Sequence, residues 1–255
     1  MRSRGFLGLI VLTGCLAATP LHAEDNPPSG NPQSCEVPAS LLSTESALPK
    51  VADAVRDGHA LNILVVGSRS STIGTSEASA YPARLQAALR EKLPSTTVNV
   101  SVELQVKKTA EEAAGSFVKL LEDKQPTLVI WQTGTVDAIR SIDPDEFRSA
   151  LDEGVIALQK AGADVVLMNL QYSPRTETMI SVPPYLDNLR VVAQEHDVPL
   201  FDRFAIMQQW NDQGDFDLFS ASHGLELAER VHDCLGRALS KFVIDAAHIG
   251  PAQQN

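Results

Sequence analysis

The sequence predicts a three-layer α/β/α domain with a five-stranded parallel β-sheet. Short apolar runs typical of strands alternate with amphipathic stretches typical of helices, and this alternation favours a parallel sheet covered by helices on both faces. The run Leu128-Val129-Ile130-Trp131 is apolar throughout, which is typical of a central strand that is buried on both faces. The predicted strands are residues 62–66, 98–106, 127–131, 164–170 and 198–201.

Helices are predicted between and beside these strands. Pro144 follows Asp143 and suits the first turn of a helix. Ligands of parallel sheets bind beyond the carboxyl ends of the strands, so we expect the functional site in the loops 67–74, 132–137 and 171–174 and just before the last helix. The predicted helices are residues 48–56, 81–93, 109–123, 144–161, 183–196 and 225–246.

Composition and charge narrow the class of protein. The 255-residue chain has 44% hydrophobic and 21% charged residues, as ordinary soluble globular proteins do. Its formal net charge is −11 and it has no basic stripe, which argues against nucleic acid as a partner. Beyond the N-terminal region no apolar run is long enough to span a bilayer, so no membrane span is predicted for the mature chain.

The first 23 residues have the composition of a secretory signal. Arg2 and Arg4 precede a short apolar stretch, and small residues follow it before a cleavage position after Ala23. The alternative is a bacterial lipobox, Leu12-Thr13-Gly14-Cys15, with Cys15 lipidated and the chain tethered to a membrane. Apolar sequence continues past Cys15, which favours cleavage after Ala23. Either site predicts an exported protein, periplasmic or secreted.

The exported chain is expected to hold one domain, residues 47–247, with a flexible arm before it (24–46) and a short tail after it (248–255). The arm begins with a stretch rich in Pro, Asn, Ser and Gly. Cys35 and Cys234 remain after the signal is removed, and two thiols in an oxidising compartment often pair. We expect a disulfide that joins the arm to the last helix. The alternative is one buried and one exposed free thiol.

Three serines between two glycines follow the first strand, in the loop Val65-Val66-Gly67-Ser68-Arg69-Ser70-Ser71-Thr72-Ile73-Gly74. This loop is not a phosphate-binding P-loop, because no Lys-Ser or Lys-Thr pair follows the second glycine. The dinucleotide fingerprint Gly-x-Gly-x-x-Gly and the nucleophile elbow Gly-x-Ser-x-Gly are also absent. A serine-rich structural turn and a site for a nucleophilic serine remain as alternatives.

Three stretches carry a resemblance to a known enzyme family. Ser70-Ser71-Thr72-Ile73-Gly74 matches the second half of a Gly-Asp-Ser-x-Thr-x-Gly pattern, with Ser68-Arg69 in place of Gly-Asp. Tyr81-Pro82-Ala83-Arg84-Leu85 matches the start of a first helix, and residues 131–137 match a Gly-Thr-Asn-Asp block except at the Asn. Over about residues 61–240 the chain resembles the SGNH (GDSL-type) hydrolases. The resemblance implies their flavodoxin-like fold.

The resemblance implies acyl transfer by a nucleophilic serine, a reaction that needs no cofactor. A metal site is not expected, because His223 and Glu226 are two ligands without a third. Ser70 is the implied nucleophile, and its backbone N–H is an implied donor to the oxyanion. Ser71 is the reserve nucleophile and an implied substrate-binding residue, because the loop holds one extra residue. The family's second block contributes a glycine N–H, and the backbone N–H of Lys107 stands in its place here.

The third block implies roles for Gly134 and Asp137 in binding the oxyanion or the substrate, with turn capping as the alternative for Asp137. Val136 replaces the asparagine whose side chain donates a hydrogen bond in the family. Valine has no such donor, so the resemblance implies an oxyanion hole that lacks one donor.

The last block departs most from the family. The family has Asp-x-x-His before the final helix, whereas this chain has His223 and Glu226 at those positions, in swapped order. His223 is the implied general base, oriented by Glu226 or by the upstream Asp217; the alternative is a solvent-facing residue at a helix start. Three other histidines lie in polar helical stretches and are expected at the surface: His196, His232 and His248.

These observations favour an exported SGNH-type serine hydrolase that acts on acyl esters of a lipid, a glycan or a small molecule. The departures at Val136, Lys107 and His223 favour the alternative, a catalytically impaired relative that binds a cell-envelope glycan, lipid or protein partner. A flavodoxin-like small-molecule binder is a remoter interpretation. The sequence does not indicate an oligomeric state.

Overall fold

The computed structural model of the chain describes residue 1 and residues 35–74, 76–219 and 224–250. Five strands form a parallel sheet: β1 (Leu61–Gly67), β2 (Val98–Leu104), β3 (Leu128–Gln132), β4 (Asp164–Met168) and β5 (Leu200–Phe201). Their spatial order is β2-β1-β3-β4-β5. The predicted fold class, a five-stranded parallel sheet of flavodoxin-like type, is confirmed.

The apolar runs located all five strands, but the pairing decides where each strand ends. β5 is only two residues long because Leu200 and Phe201 alone pair with Leu167 and Met168, whereas the sequence predicted a strand from 198. β4 ends at Met168 rather than at 170, since the chain turns away there to form the loop beside the site.

Helices cover both faces of the sheet. Those predicted from the sequence are α2 (Pro49–Arg56), α3 (Tyr81–Lys92), α7 (Pro144–Lys160), α9 (Pro183–Glu195) and α11 (Gly224–Ala246). The predicted helix 109–123 is divided into α4 (Ala110–Ala114) and α5 (Phe117–Lys124) by Gly115 and Ser116. Four further helices were not predicted: α1 (Ala39–Leu42), α6 (Thr135–Arg140), α8 (Pro174–Glu177) and α10 (Arg203–Asp212).

The handedness of the connections places the helices. The connection from β1 to β2 through α3 runs towards one edge of the sheet, and those from β2 to β5 run towards the other. Right-handed crossovers therefore place α3 on one face and α4, α5, α7 and α9 on the opposite face. The final helix, α11, packs against α3. None of the described helices is both long enough and apolar enough to cross a membrane.

The core lies between these layers and includes both tryptophans. Trp131 of β3 packs edge-to-face against Phe117 of α5, and Trp210 of α10 packs against Phe216. Both indole rings are buried. The indole N–H of Trp210 donates to the carbonyl oxygen of Glu36 at 2.9 Å, which holds the segment just before α1 against α10.

Cys35 and Cys234 form a disulfide that joins residues separated by 199 positions in the sequence. The predicted pairing is confirmed, and Cys234 lies on α11 as expected. Leu42 of α1 and Leu48 are buried in the same core. The segment before α2 is therefore attached to the domain by a covalent bond, by a hydrogen bond and by apolar packing.

Breaking this disulfide is expected to lower the free energy of unfolding by about 2–5 kcal/mol, because the long closed loop restricts the unfolded chain. Urea denaturation of Cys35→Ser against the oxidised wild type measures the loss. Reductant should lower the stability of the wild type to that of the variant and leave the variant unchanged. Equal midpoints for variant and oxidised wild type would contradict a stabilising role.

Candidate active site

The carboxyl ends of four neighbouring strands bring polar side chains together. The register pairs Gln132 of β3 with Met168 of β4, and Met168 with Phe201 of β5. Residues that follow these positions therefore meet at one edge of the sheet, where parallel sheets bind their ligands. Ser70, Gln132, Gln171 and Arg203 form the centre of this cluster.

The serine-rich loop forms a tight turn at the end of β1. Arg69–Ser71 is a single turn of 3₁₀-helix, and the N–H of Ser71 donates to the carbonyl oxygen of Ser68. Position 67 requires glycine, because a Cβ there would overlap the hydroxyl of Ser71. This close approach lets the chain fold back over the strand end and presents Ser70 beside the sheet.

Ser70 is partly buried and its hydroxyl oxygen accepts two hydrogen bonds. The side-chain amide of Gln132 donates through Nε2 at 2.8 Å, and the guanidinium of Arg203 donates through Nη1 at 3.3 Å. The hydroxyl of Ser68 lies 3.2 Å away. Among the described residues no imidazole or carboxylate hydrogen-bonds to the Ser70 hydroxyl.

Ser71 occupies a different environment from Ser70. Its side chain is only 1% exposed, and its hydroxyl donates to Oε1 of Gln132 at 2.8 Å. The hydroxyl of Tyr81 donates to the same oxygen at 3.1 Å. These contacts give Ser71 a supporting role beneath the site and leave Ser70 as the serine that a substrate reaches.

Arg203 is the first residue of α10 and is fully buried, at 0% exposure. Its Nη2 donates to the carbonyl oxygen of Ser70 at 3.2 Å and to Oε1 of Gln171 at 3.1 Å. Burial lowers the pKa of the guanidinium to about 10, so it is charged at neutral pH. No described carboxylate pairs with it. The site therefore holds a cation without a described counter-ion. Burying an unpaired charge costs several kcal/mol.

His232 lies beneath the cluster, not at the surface as predicted. Its Nδ1 accepts from the backbone N–H of Tyr81 at 3.0 Å, which fixes the start of α3. Burial, and then the positive charge of Arg203, lower the pKa of His232 to about 3. The imidazole is therefore neutral at neutral pH. Its role is structural, because His232 lies on α11 where this helix packs against α3. Of the other two histidines, His248 is exposed as predicted, and His196 is half-buried beside Asp152.

A cavity of about 400 Å³ opens over Ser70. Lys107, implied by the resemblance as a backbone donor, lies on its wall and has a left-handed backbone with φ +62°. Val136 lies on the same wall, so the position where the family has a donating asparagine faces the cavity. Gln171 completes the side nearest Arg203.

Gly134 and Asp137 are not among the residues that line this cavity. Gly134 is buried at φ +95°, where a Cβ would overlap Leu170, and is the N-cap residue that precedes α6. Asp137 is buried and accepts from the backbone N–H of Ala110 at 2.9 Å, and burial raises the pKa of its carboxyl. Its position fits the capping alternative, since it ties α6 to the start of α4.

The implied base lies outside the described residues. His223 and Ser220–Ser222 directly precede α11, so the structure gives no contact for them. Glu226 is exposed in the first turn of α11. Oδ1 of Asp217 accepts from the N–H of Phe219 at 3.1 Å. In the described ranges no three His, Cys, Asp or Glu side chains are grouped so as to hold a metal ion.

Sequence reasoning did not assign a role to Gln132 or Arg203. Gln132 stands inside the matched block 131–137, in which the resemblance implies roles for the glycine and for the position of the missing asparagine. Arg203 follows the strand β5, whose end, like that of β2, was not among the loops expected to hold the site. The signal was present: Asp202-Arg203 is a charged pair directly after an apolar strand, and Asp202 is a typical N-cap residue.

The chain matches the model of a known protein family. The model of the non-GDSL lipase-like family matches residues 34–249. The chain belongs to this family. No curated protein sequence matches it. The match spans the sheet, the disulfide and the polar cluster at the strand ends.

Solved structures show the same fold at low sequence identity. EstA, a psychrotrophic esterase from Pseudoalteromonas sp., is 18% identical with a TM-score of 0.56, over 72% of this chain and 98% of EstA. Axe2, an acetylxylan esterase from Geobacillus stearothermophilus, is 16% identical with a TM-score of 0.58, over 71% and 93%. AlinE4, an SGNH-hydrolase family esterase, is 21% identical with a TM-score of 0.52, over 65% and 85%. The predicted SGNH-type fold is confirmed.

The buried neutral state of His232 predicts a loss of stability in acid. The unfolded chain binds a proton near pH 6.5, whereas the folded chain binds one only near pH 3. The free energy of unfolding of the wild type should therefore fall between these values, by up to about 1.4 kcal/mol per pH unit from this group. His232→Gln keeps an acceptor for Tyr81 and removes the titration.

Urea denaturation of both proteins at a series of pH values measures this difference. The stability of the wild type relative to His232→Gln should decline as the pH falls from 6.5 to 3 and stay constant above 7. A constant difference throughout would show that His232 takes up its proton in the folded protein.

Proposed function

We propose that this protein is an exported serine hydrolase of the SGNH type that cleaves ester bonds, with Ser70 as the nucleophile. One observation supports this most directly: the Ser70 hydroxyl lies at the carboxyl end of β1, on the wall of a cavity, with two N–H donors on its oxygen. The family and the fold support the same reaction class.

The reaction forms and breaks an acyl-enzyme. Oγ of Ser70 attacks the ester carbonyl carbon, the hydroxyl proton passes to the proposed base His223, and the carbonyl electron pair moves to oxygen. The C–O bond to the alcohol then breaks, and the alcohol leaves with that proton. Water releases the acid by the same steps. The proposed oxyanion donors are the backbone N–H groups of Ser70 and Lys107.

The substrate that the cavity fits best is an ester of a small molecule or of a glycan. Its volume of about 400 Å³ is at the small end of ligand pockets. The uncharged polar residues Ser68, Thr135, Gln171 and Ser173 line it, together with the basic residues Arg69 and Lys107 and the aliphatic residues Val106 and Val136. Such a lining suits a short acyl group and a hydroxylated alcohol. The acetylxylan esterase Axe2 is one of the structures with this fold.

Export is proposed from the leader in residues 1–23 and from the disulfide. A disulfide between two distant positions persists in an oxidising compartment. Processing after Ala23 would release a periplasmic or secreted enzyme, and processing at Cys15 would anchor it to a membrane through a lipid.

A second candidate is a catalytically impaired relative that binds a cell-envelope glycan, lipid or protein. Val136 favours it, because this side chain faces the cavity where the family has a hydrogen-bond donor. The exposure of Glu226, which stands where the family has its histidine, favours it as well. The two candidates differ in whether Ser70 reacts with an electrophile.

Ser70→Ala is expected to abolish covalent labelling by a fluorophosphonate probe and to lower ester hydrolysis at least a thousandfold, because the variant lacks the proposed nucleophile and the reserve candidate, Ser71, is buried beneath the site. Labelling followed by intact-protein mass spectrometry, with hydrolysis of p-nitrophenyl acetate, measures both. Ser149→Ala, an exposed serine on α7, is the matched control and should retain both. Labelling of Ser70→Ala at the wild-type rate would contradict the proposal.

Val136→Asn is expected to raise kcat/KM for p-nitrophenyl acetate by about tenfold, because an amide N–H would then face the oxyanion. Val136→Ala is the control for the change in cavity shape and should gain much less. The assay is initial-rate kinetics on both variants and on the wild type. If Asn and Ala behave alike, position 136 does not contribute to the oxyanion hole.

A further inference from the structure

The guanidinium of Arg203 is a buried positive charge without a counter-ion in the part of the chain that the structure describes. The adjacent carboxylate, Asp202, is engaged elsewhere: its Oδ1 accepts from Asn169 and from the N–H of Ala205, and its Oδ2 faces Arg190 at 3.5 Å. The nearest compensation is the ring of Tyr81, whose centroid lies 5.7 Å from the guanidinium carbon. The fold therefore keeps Arg203 away from the acid beside it.

The position of Arg203 at the start of α10 adds to the energetic cost of burying its charge. Arg203 opens α10, and the N-terminal end of a helix dipole disfavours a cation. Nε of Arg203 is also buried without a hydrogen-bond partner among the described residues. A neutral donor would hold the carbonyl oxygen of Ser70 and the amide of Gln171 without these costs. A structural clamp therefore does not account for a charged side chain here.

The hydrogen bonds show where the charge acts. An arginine has only donors, so the contact between Nη1 and Oγ of Ser70 makes that oxygen an acceptor. Gln132 donates to the same oxygen, since its Oε1 is occupied by the hydroxyls of Ser71 and Tyr81. Both lone pairs of Ser70 are then bound, and its O–H is left to point at Ser68 or at a base.

We propose that Arg203 is a catalytic residue whose charge stabilises the negative charge that forms on Oγ of Ser70 as the hydroxyl proton leaves. This inference rests on the proposed function, because it needs Ser70 to act as the nucleophile. In the step concerned the O–H bond breaks, its electron pair stays on Oγ, and the proton passes to an imidazole or to hydroxide from solvent. The pair then forms the bond to the acyl carbon. Arg203 keeps its own protons throughout.

The orientation of Arg203 comes from buried contacts around β4 and α10. Asn169 is fully buried at the end of β4; its Nδ2 donates to Asp202 at 2.7 Å, and its Oδ1 accepts from the N–H of Phe204 at 2.9 Å. These two bonds hold the side chain of Asp202 and the backbone of Phe204, on either side of position 203. The guanidinium is therefore placed against Ser70 before any substrate binds, as electrostatic stabilisation requires.

The test is the rate of fluorophosphonate labelling as a function of pH, in the full-length mature protein. The probe forms a bond between Oγ and phosphorus and releases fluoride, so it reports on the nucleophile without a natural substrate. Arg203→Met should label about 10–100 times more slowly at pH 7, the fold-change of a charge-assisted hydrogen bond. The midpoint of its pH profile should move to higher pH.

Three further variants separate charge from packing. Arg203→Lys keeps a cation and should recover part of the rate and the lower midpoint, whereas Arg203→Gln keeps a donor without charge and should resemble Arg203→Met. Arg90→Met is the matched control, because Arg90 on α3 also donates to a backbone carbonyl, that of Val98. It should label as the wild type does. Circular dichroism and thermal melting confirm folding for each variant.

The outcomes distinguish this inference from the proposed function. A wild type that is not labelled at any pH overturns the proposed function. A wild type that is labelled, with folded Arg203→Gln and Arg203→Lys at equal rates and midpoints, overturns the role of Arg203 alone. If Arg203→Met does not fold, the comparison of Lys with Gln still decides, since these variants differ in charge and both keep a donor.

Discussion

The side-chain amide of Gln132 is the interaction on which the arrangement of the site depends. It is buried at the end of β3, so its donors and its acceptor must all find partners inside the protein. The hydroxyls of Ser71 and Tyr81 donate to its oxygen, which turns its NH₂ group towards Ser68 and Ser70. One amide thus joins the serine-rich turn, the first long helix and the central strand.

Burial lowers the pKa values of both basic side chains, Arg203 and His232, but only Arg203 remains charged at neutral pH. Arg203 stays charged with its pKa lowered to about 10, and His232 stays neutral with its pKa lowered to about 3. A second cation near Arg203 would be repelled in a medium of low polarity, so the neutral imidazole serves as an acceptor for the backbone of α3. The positive charge of Arg203 faces Ser70, and under the proposed function this polarity suits an anionic transition state.

The departures from the SGNH pattern change which hydrogen-bond donors lie at the cavity. Val136 removes one donor from the wall, while Gln132 and Arg203 add two donors at the nucleophile itself. Under the proposed function, a site of this kind would shift stabilisation from the carbonyl oxygen of the substrate towards the oxygen of the serine. The proposed acyl-transfer site then has its electrostatic support arranged differently from the pattern that the sequence resembles.

The sequence by itself determined the five strands, the longer helices that cover the sheet and the position of Ser70 after the first strand, because apolar periodicity and the Ser-x-Thr-x-Gly stretch are local patterns. It also indicated the pairing of Cys35 with Cys234. Only the tertiary structure decided which side chains surround Ser70. Arg203 lies 133 positions away along the chain and reaches it because the register aligns the ends of β1, β3, β4 and β5. The same packing buried His232, whose polar helical surroundings in sequence gave no sign that α11 would press it against α3.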